Sequence, residues 1–210
     1  MRLIASSTST FNFNSGDALP VCKGCIKGKQ SQQPVSKTPV PRTTRLLQLV
    51  HSDICGPMQT PSLSGKIYFV TFTDDYSRYT VVYPIKAKSK VFLKFQEYRK
   101  TTQNQLGTSL KALCSDNGGE YISKRFKAYL ARKGIQHQLT APHTPEHNGV
   151  AEQKNRTLVE MARCLLQTAS MPNNFWAEAI MTATYISNAS PTHVLVGMIV
   201  ECRTQIDTLL

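Results

Sequence analysis

Apolar positions divide this chain into two regimes. Over residues 46–84 they come in short stretches rich in Leu, Val, Ile, Tyr and Phe, the pattern of strands. LLQLVHSDI predicts a strand ending near Asp53, with a turn at Gly56-Pro57. KIYFVTFTDD suits a central strand, and RYTVVYPI pairs with it through a turn made by Asp74, Asp75, Tyr76 and Ser77. Helical spacing then takes over. Ser89 is positioned to cap a helix over residues 90–106, whose stripe is Val91, Phe92, Phe95 and Tyr98 and whose stop is Gly107. SLKALCS is the next strand, with Asp116 just after it; residues 122–133 form a helix through Phe126, Tyr129 and Leu130, and IQHQL is a short strand.

TAPHTPEHNG has two prolines, a glycine and no apolar period, so it is predicted to be a mobile loop. Asn148 can cap the helix VAEQKNRTLVEMARCLLQTA, which buries Val150, Leu158, Ala162, Leu165 and Ala169. Another helix, NNFWAEAIMTATYIS, follows Pro172, with Trp176 expected in the core. The order of elements points to an α/β protein with a mixed central sheet and flanking helices. Three regions result. Residues 1–45 form a loose, basic arm, residues 46–192 the core, and residues 193–210 a divergent tail.

Charge sharpens the picture. Of 210 residues, 25 are Lys or Arg and 13 Asp or Glu, giving +12 overall, yet eight of those acids fall between Asp53 and Glu152. A basic surface around an acidic centre suits a polyanion better than a small metabolite. Residues 20–45 add six basic residues, four prolines and no acid. No run approaches the roughly 20 apolar residues of a membrane span, and the N-terminus has no secretory pattern. Six irregularly spaced cysteines do not make a disulfide scaffold and fit a reducing compartment.

The chemistry centres on three acids: Asp53 in LVHSDICGP, Asp116 in CSDNGGEY and Glu152 in TPEHNGVAEQKNR. Each stands where an element begins or ends. Singly, each has a plain alternative: a strand-end acid, an Asx turn, a charge favouring a helix start. Brought together, carboxylates repel and raise one another's pKa unless cations lie between them. Oxygen-only donors suit Mg²⁺ or Mn²⁺ better than zinc. Two such ions can clamp an in-line displacement at phosphorus. Glu120 is either an acceptor behind this site or a surface acid, and Asp74 and Asp75 are turn-formers.

The stretches LVHSDICGPM, YFVTFTDDYSRY, CSDNGGEY, GIQHQLTAPHTPEHNGVAEQKNRTLVEMAR and PNNFWAEAI resemble the integrase catalytic core of Ty1/copia-type retrotransposon Pol polyproteins, over roughly residues 46–192. That resemblance implies an RNase H-like fold and an Asp, Asp, Glu triad at Asp53, Asp116 and Glu152 holding two Mg²⁺ or Mn²⁺ ions. It implies 3′-end processing and strand transfer of element DNA into target DNA, by a homo-oligomer acting in the nucleus without a membrane. Asn117, Asn148, Asn155 and Arg156 are candidate DNA contacts. Family members also carry a His-His-Cys-Cys zinc module upstream; only Cys22 and Cys25 of such a site are present, so zinc is not expected. The tail does not align with the family's continuation, which suggests a polyprotein fragment. The competing expectations are a nucleic-acid-binding fragment without turnover and an RNase H-type nuclease.

Overall fold

The structure, a computed structural model, describes residues 42–140 and 149–190. The Cys22/Cys25 pair, the loop 141–148 with Asn148, and the tail from residue 193 lie outside the described residues. No helix among the described residues is long and apolar enough to cross a membrane.

Five strands, β1 (Val50–Cys55), β2 (Tyr68–Asp74), β3 (Thr80–Ile85), β4 (Ala112–Ser115) and β5 (Gln136–Leu139), form one sheet in the order β3-β2-β1-β4-β5. The β1–β2 and β2–β3 pairs are antiparallel, and β1–β4 and β4–β5 are parallel. Helices α1 (Val91–Leu106), α2 (Gly119–Ile122), α3 (Lys124–Arg132), α4 (Gly149–Thr168) and α5 (Trp176–Ala189) complete the described elements. The mixed sheet with flanking helices expected from the hydrophobic pattern is what forms.

Strand alternation explains the two layers. On β2, Val70 and Phe72 point into one core with Phe95 and Tyr98 of α1 and Phe126 of α3. Phe69 points to the other face, into a core with Leu158 and Ala162 of α4 and Trp176, Ala177 and Ile180 of α5. The first core is aromatic: Phe72 stacks on Tyr98 at 4.8 Å between centroids, and Phe95 on Phe126 at 5.1 Å. Trp176 is a core residue, as predicted, 6.3 Å from Phe69 with its indole N–H donated to the Thr60 carbonyl. Edge strand β3 is held to α5 by one amide: Asn188 accepts from Thr80 N at 3.0 Å and donates to Thr80 O at 2.8 Å.

Asp74 and Asp75 build the turn that locks the start of β1 in place. Asp74 accepts from Leu47 N at 2.8 Å and from both Ser77 N and Oγ at 2.7 Å. Asp75 accepts from Thr43 N and Oγ1 and lies 3.2 Å from His51 Nε2 and 3.4 Å from Arg78. Thr43 is therefore already bound to the core.

Three local expectations are corrected. β1 starts at Val50 rather than Leu46, because Leu47 adopts a positive φ of 57° and drives its side chain into the core. Ser89 does not cap α1: a 3-10 turn over Lys88–Lys90 feeds directly into the helix, and no side chain caps it. The helix expected over 122–133 forms over Lys124–Arg132, and an unexpected one-turn helix, Gly119–Ile122, precedes it across Ser123, whose extended backbone lets its hydroxyl accept from Phe126 N at 3.3 Å.

Phe95→Ala is expected to cost about 3–5 kcal/mol, the range for emptying a buried aromatic site. Tyr185→Ala, at a residue 69% exposed, should stay within about 0.5 kcal/mol of the parent. Urea unfolding of both variants measures the difference.

Candidate active site

The parallel register of β1 and β4 brings the first two acids together. Leu113 lies opposite Val50 and Cys114 opposite His51, an offset of 63 residues. Asp116 follows Asp53 by the same 63 residues, so carrying the register forward sets one acid beside the other. Asp53 is also not at a strand end as expected. It sits within β1, paired with Thr71 of β2, and the strand continues to Cys55.

Alternation along β1 gives neighbouring residues opposite tasks. Ser52 is fully buried and meets the Tyr121 hydroxyl of α2 at 2.6 Å, tying β1 to the segment just after Asp116. Asp53 points to the other face, toward α4. There Asn155 Nδ2 donates to Asp53 Oδ2 at 2.9 Å, and Thr71 Oγ1 donates to Asn155 Oδ1 at 2.8 Å. Asn155 is only 4% exposed. Its assignment as a DNA contact is corrected: both ends of its amide are spent inside the protein, on holding Asp53. Its spacing three residues after Glu152 places it on the same side of the helix, but there it turns inward to the sheet.

This clamp acts against an electrostatic push. The Asp53 carboxyl is raised from 3.8 to about 6, first by burial and then by the charges of Asp116 and Glu152. Hydrogen bonds from the Ile54 backbone and from Asn155 offset only part of that. Asp53 is thus held in an ionisation-averse position near two further acids, an arrangement that a cation would relieve.

Asp116 follows β4 in an Asx turn, its Oδ1 accepting from Gly118 N at 3.1 Å. At Gly118 the issue is space rather than backbone angle, because a side chain there would displace two carboxylates. A Cβ there would lie 2.8 Å from Glu120 Oε1 and 3.0 Å from Asp116 Oδ1. Glu120 is consequently no free surface acid: its side chain is 11% exposed, beside Asp116, with Lys88 at 3.8 Å. The turn is also tied to β5. Ser115 Oγ meets His137 Nε2 at 2.9 Å, Thr140 N donates to Ser115 O at 3.1 Å, and Asn117 Nδ2 donates to Thr140 O at 2.9 Å. Asn117 is exposed despite that bond.

Glu152 is exposed in the first turn of α4. It shares an open groove of about 400 Å³ with Asp53, Asn155, Arg156, Val159 and Arg163. Arg156 is exposed in that groove, where a phosphate could meet it. Asp116 does not line the groove, although its charge reaches Asp53. Among the described residues no three His, Cys, Asp or Glu side chains are close enough to hold one metal ion together. The donors nevertheless fit a hard divalent cation: they are all carboxylate oxygens, and Asp53 is destabilised as a bare anion. Asp53, Asp116 and Glu152 would supply carboxylate oxygens to such an ion, with substrate or water providing the rest.

Thr71 and Tyr121 are the residues that sequence reasoning passed over. Thr71 is a buried polar residue between Val70 and Phe72 and, with Thr73, makes every second position of β2 after Phe69 a buried threonine; that break in an otherwise apolar strand is its signal. Tyr121 gives no such signal, because an aromatic at the start of a helix reads as core.

Comparison with known proteins bears on the family and the fold. The integrase core domain family matches residues 43–145. The chain is 44% identical over 189 residues, 90% of its length, to the retrovirus-related Pol polyprotein from transposon TNT 1-94 of Nicotiana tabacum. It is 37% identical over 196 residues, 93% of its length, to that from transposon RE2 of Arabidopsis thaliana. With the Ty1-NL2 Gag-Pol polyprotein of Saccharomyces cerevisiae identity is 30% over 177 residues, 81% of the chain. The chain spans only 14%, 13% and 10% of those three polyproteins. A chain of the simian T-cell lymphotropic virus intasome, solved with the PP2A regulatory subunit B56 gamma, matches with a TM-score of 0.60 at 19% identity. That match covers 82% of this chain and 59% of the other, and it shows the same fold.

Asp53→Asn tests the electrostatic push on stability. Above about pH 6 Asp53 is ionised in both folded and unfolded states, and the folded state bears the full penalty. Between 3.8 and about 6 the folded state binds the extra proton, so stability falls as pH rises through that window. The gap corresponds to about 3 kcal/mol at most. Metal-free Asp53→Asn should therefore be more stable than the parent at pH 8, with the difference vanishing toward pH 4. Thermal melts in chelator across that range measure it; a variant less stable at pH 8 would contradict the assignment.

Proposed function

Since the chain belongs to the integrase core domain family of copia-type retrotransposon Pol polyproteins, we propose that it is the catalytic core for divalent-metal-dependent 3′-end processing and strand transfer of element DNA. One observation carries the proposal: Asp53 is clamped by Asn155 where burial and the charges of Asp116 and Glu152 oppose its ionisation. Groups shifted in this way cluster at functional sites, and a cation held beside Asp53 would offset the cost.

In this reading Asp53 and Asp116, from the sheet, and Glu152, from α4, would hold Mg²⁺ or Mn²⁺. When bound, the two ions supply Lewis-acid activation of the attacking hydroxyl and charge stabilisation at the departing 3′-oxygen. The protein's own part is placement. Asn155, held in turn by Thr71, and the Ile54 backbone N–H fix the Asp53 carboxylate where it lines the groove. The Gly118 N–H fixes Asp116 Oδ1, and the absence of a side chain at Gly118 leaves room for the Asp116 and Glu120 carboxylates. Arg156, exposed on the groove, meets a phosphate of the DNA backbone. Asn117, at the edge of the Asp116 turn, is placed to do the same, and Asn148 stands in the segment leading to Glu152. With water as the attacking group the element's end is trimmed; with the resulting 3′-hydroxyl it is joined to target DNA.

The substrate follows from charge. A net +12 on 210 residues favours a polyanion, and twelve basic residues lie between Lys86 and Lys133 against three acids. We place the working protein in the nucleus, as a homo-oligomer, because joining two ends to one target demands several DNA grips at once.

Asp116→Asn should abolish Mg²⁺- or Mn²⁺-dependent cleavage of a labelled element-end duplex, while DNA binding changes by less than about twofold, since phosphate contacts supply most of it. A variant that cuts as fast as the parent would refute the role of Asp116.

A further inference from the structure

The groove holding Asp53 and Glu152 does not end at α4. Val159 and Arg163 line it on one side and line a second, larger cleft of about 600 Å³ on the other. That cleft is walled by the β1–β2 connection, the C-terminal half of α4 and the turn into α5. Its size falls within the roughly 300–1,000 Å³ range of small-molecule sites, large enough for a base with its sugar and too small for a duplex.

We propose that this cleft receives one unpaired nucleotide adjoining the reacting phosphodiester, with its phosphate on Arg163 and its base against the apolar wall. The inference rests on the DNA-processing reading of the carboxylate site. Three observations support it. The cleft adjoins the carboxylate groove, with Val159 and Arg163 lining both, so a strand leaving the site passes the exposed Arg163 to reach it. Arg156 and Arg163 are seven residues apart on α4, two turns or about 10 Å along one face, and Glu160 stands in the groove near them. Positive charge therefore comes at separate points, as discrete phosphates require, rather than as a uniform basic face. Beyond Arg163 the wall is Met58, Leu166, Met171 and Ile180. Met171 is 41% exposed, leaving a polarisable thioether open to the flat face of a base. Gln59 and Gln167 on the rim can reach base-edge groups without demanding one sequence.

The test uses the full chain and two labelled duplexes of equal charge, one blunt and one with a short unpaired 5′ extension, compared by fluorescence anisotropy at fixed salt. The parent should prefer the extended duplex by about tenfold, the scale of one held base. Arg163→Ala and Met171→Asp, both at exposed positions, should each reduce that preference to less than about twofold. Lys100→Ala, on α1 against the other face of the sheet, should weaken both duplexes equally and leave the preference intact. Far-UV circular dichroism confirms that each variant folds. No preference in the parent, or a preference unchanged in both cleft variants, overturns the proposal, and the second result would leave the cleft to a protein partner. The two readings separate cleanly. Lost preference with metal-dependent cleavage intact removes the cleft alone; absent cleavage with the preference intact removes the catalytic reading and leaves a nucleotide-binding cleft.

Discussion

The arrangement depends on holding Asp53 where its charge is unwelcome. Burial and two neighbouring acids push its carboxyl up to about 6, while one amide, Asn155, pulls it into a fixed position. Neither force is useful alone. A buried carboxylate without a clamp would turn away toward solvent, and a clamp without electrostatic pressure would hold an ordinary carboxylate with little demand for a cation. Thr71 fixes which end of the Asn155 amide faces Asp53, since its hydroxyl occupies the carbonyl end. The clamp therefore joins a central strand, its neighbour and α4, and the site inherits its rigidity from the sheet.

The rest of the fold keeps those three elements in register. The aromatic layer around Phe72, Phe95 and Phe126 seats α1 and α3 on one face, and the layer around Phe69 and Trp176 seats α4 and α5 on the other. Asp74 and Asp75, acidic like the site residues, do the opposite job. They are consumed by backbone and side-chain donors from Leu47, Thr43, Ser77, His51 and Arg78. Burial alone would raise Asp75, but His51, Thr43 and Arg78 outweigh it and hold the group below the ordinary carboxylate value. Asp74 is itself raised by burial despite its bonds from Ser77 and Leu47, so the distinction from the site lies in access: the turn acids are enclosed by protein donors, whereas Asp53 lines an open groove with Glu152.

Much of this was legible in the chain itself. Strand and helix periods gave the order of elements, and three acids in separate motifs marked the candidate site. The misses have physical causes. Asn155 looked like an exposed helix residue because helical spacing sets its side relative to Glu152 but not whether that side faces solvent or sheet. Ser123 was hidden within one apolar period, since Tyr121 and Phe126 stay on a common core across the break. Ser89 had the right chemistry for a cap, but a 3-10 turn occupies its place. The pairing of Asp53 with Asp116 lay in a number available from the start, a separation of 63 residues, which became meaningful only when β1 and β4 proved parallel with that offset.

The central claim is that Asp53 is a carboxylate strained by burial and by its acidic neighbours and relieved by a divalent cation. Carbon-13 NMR titration of the Asp53 side-chain carboxyl, with and without Mg²⁺, tests it most directly. A midpoint near pH 6 in chelator, moving down by more than about one unit with saturating Mg²⁺, is the predicted result. A midpoint near 4 that Mg²⁺ leaves unmoved would contradict it.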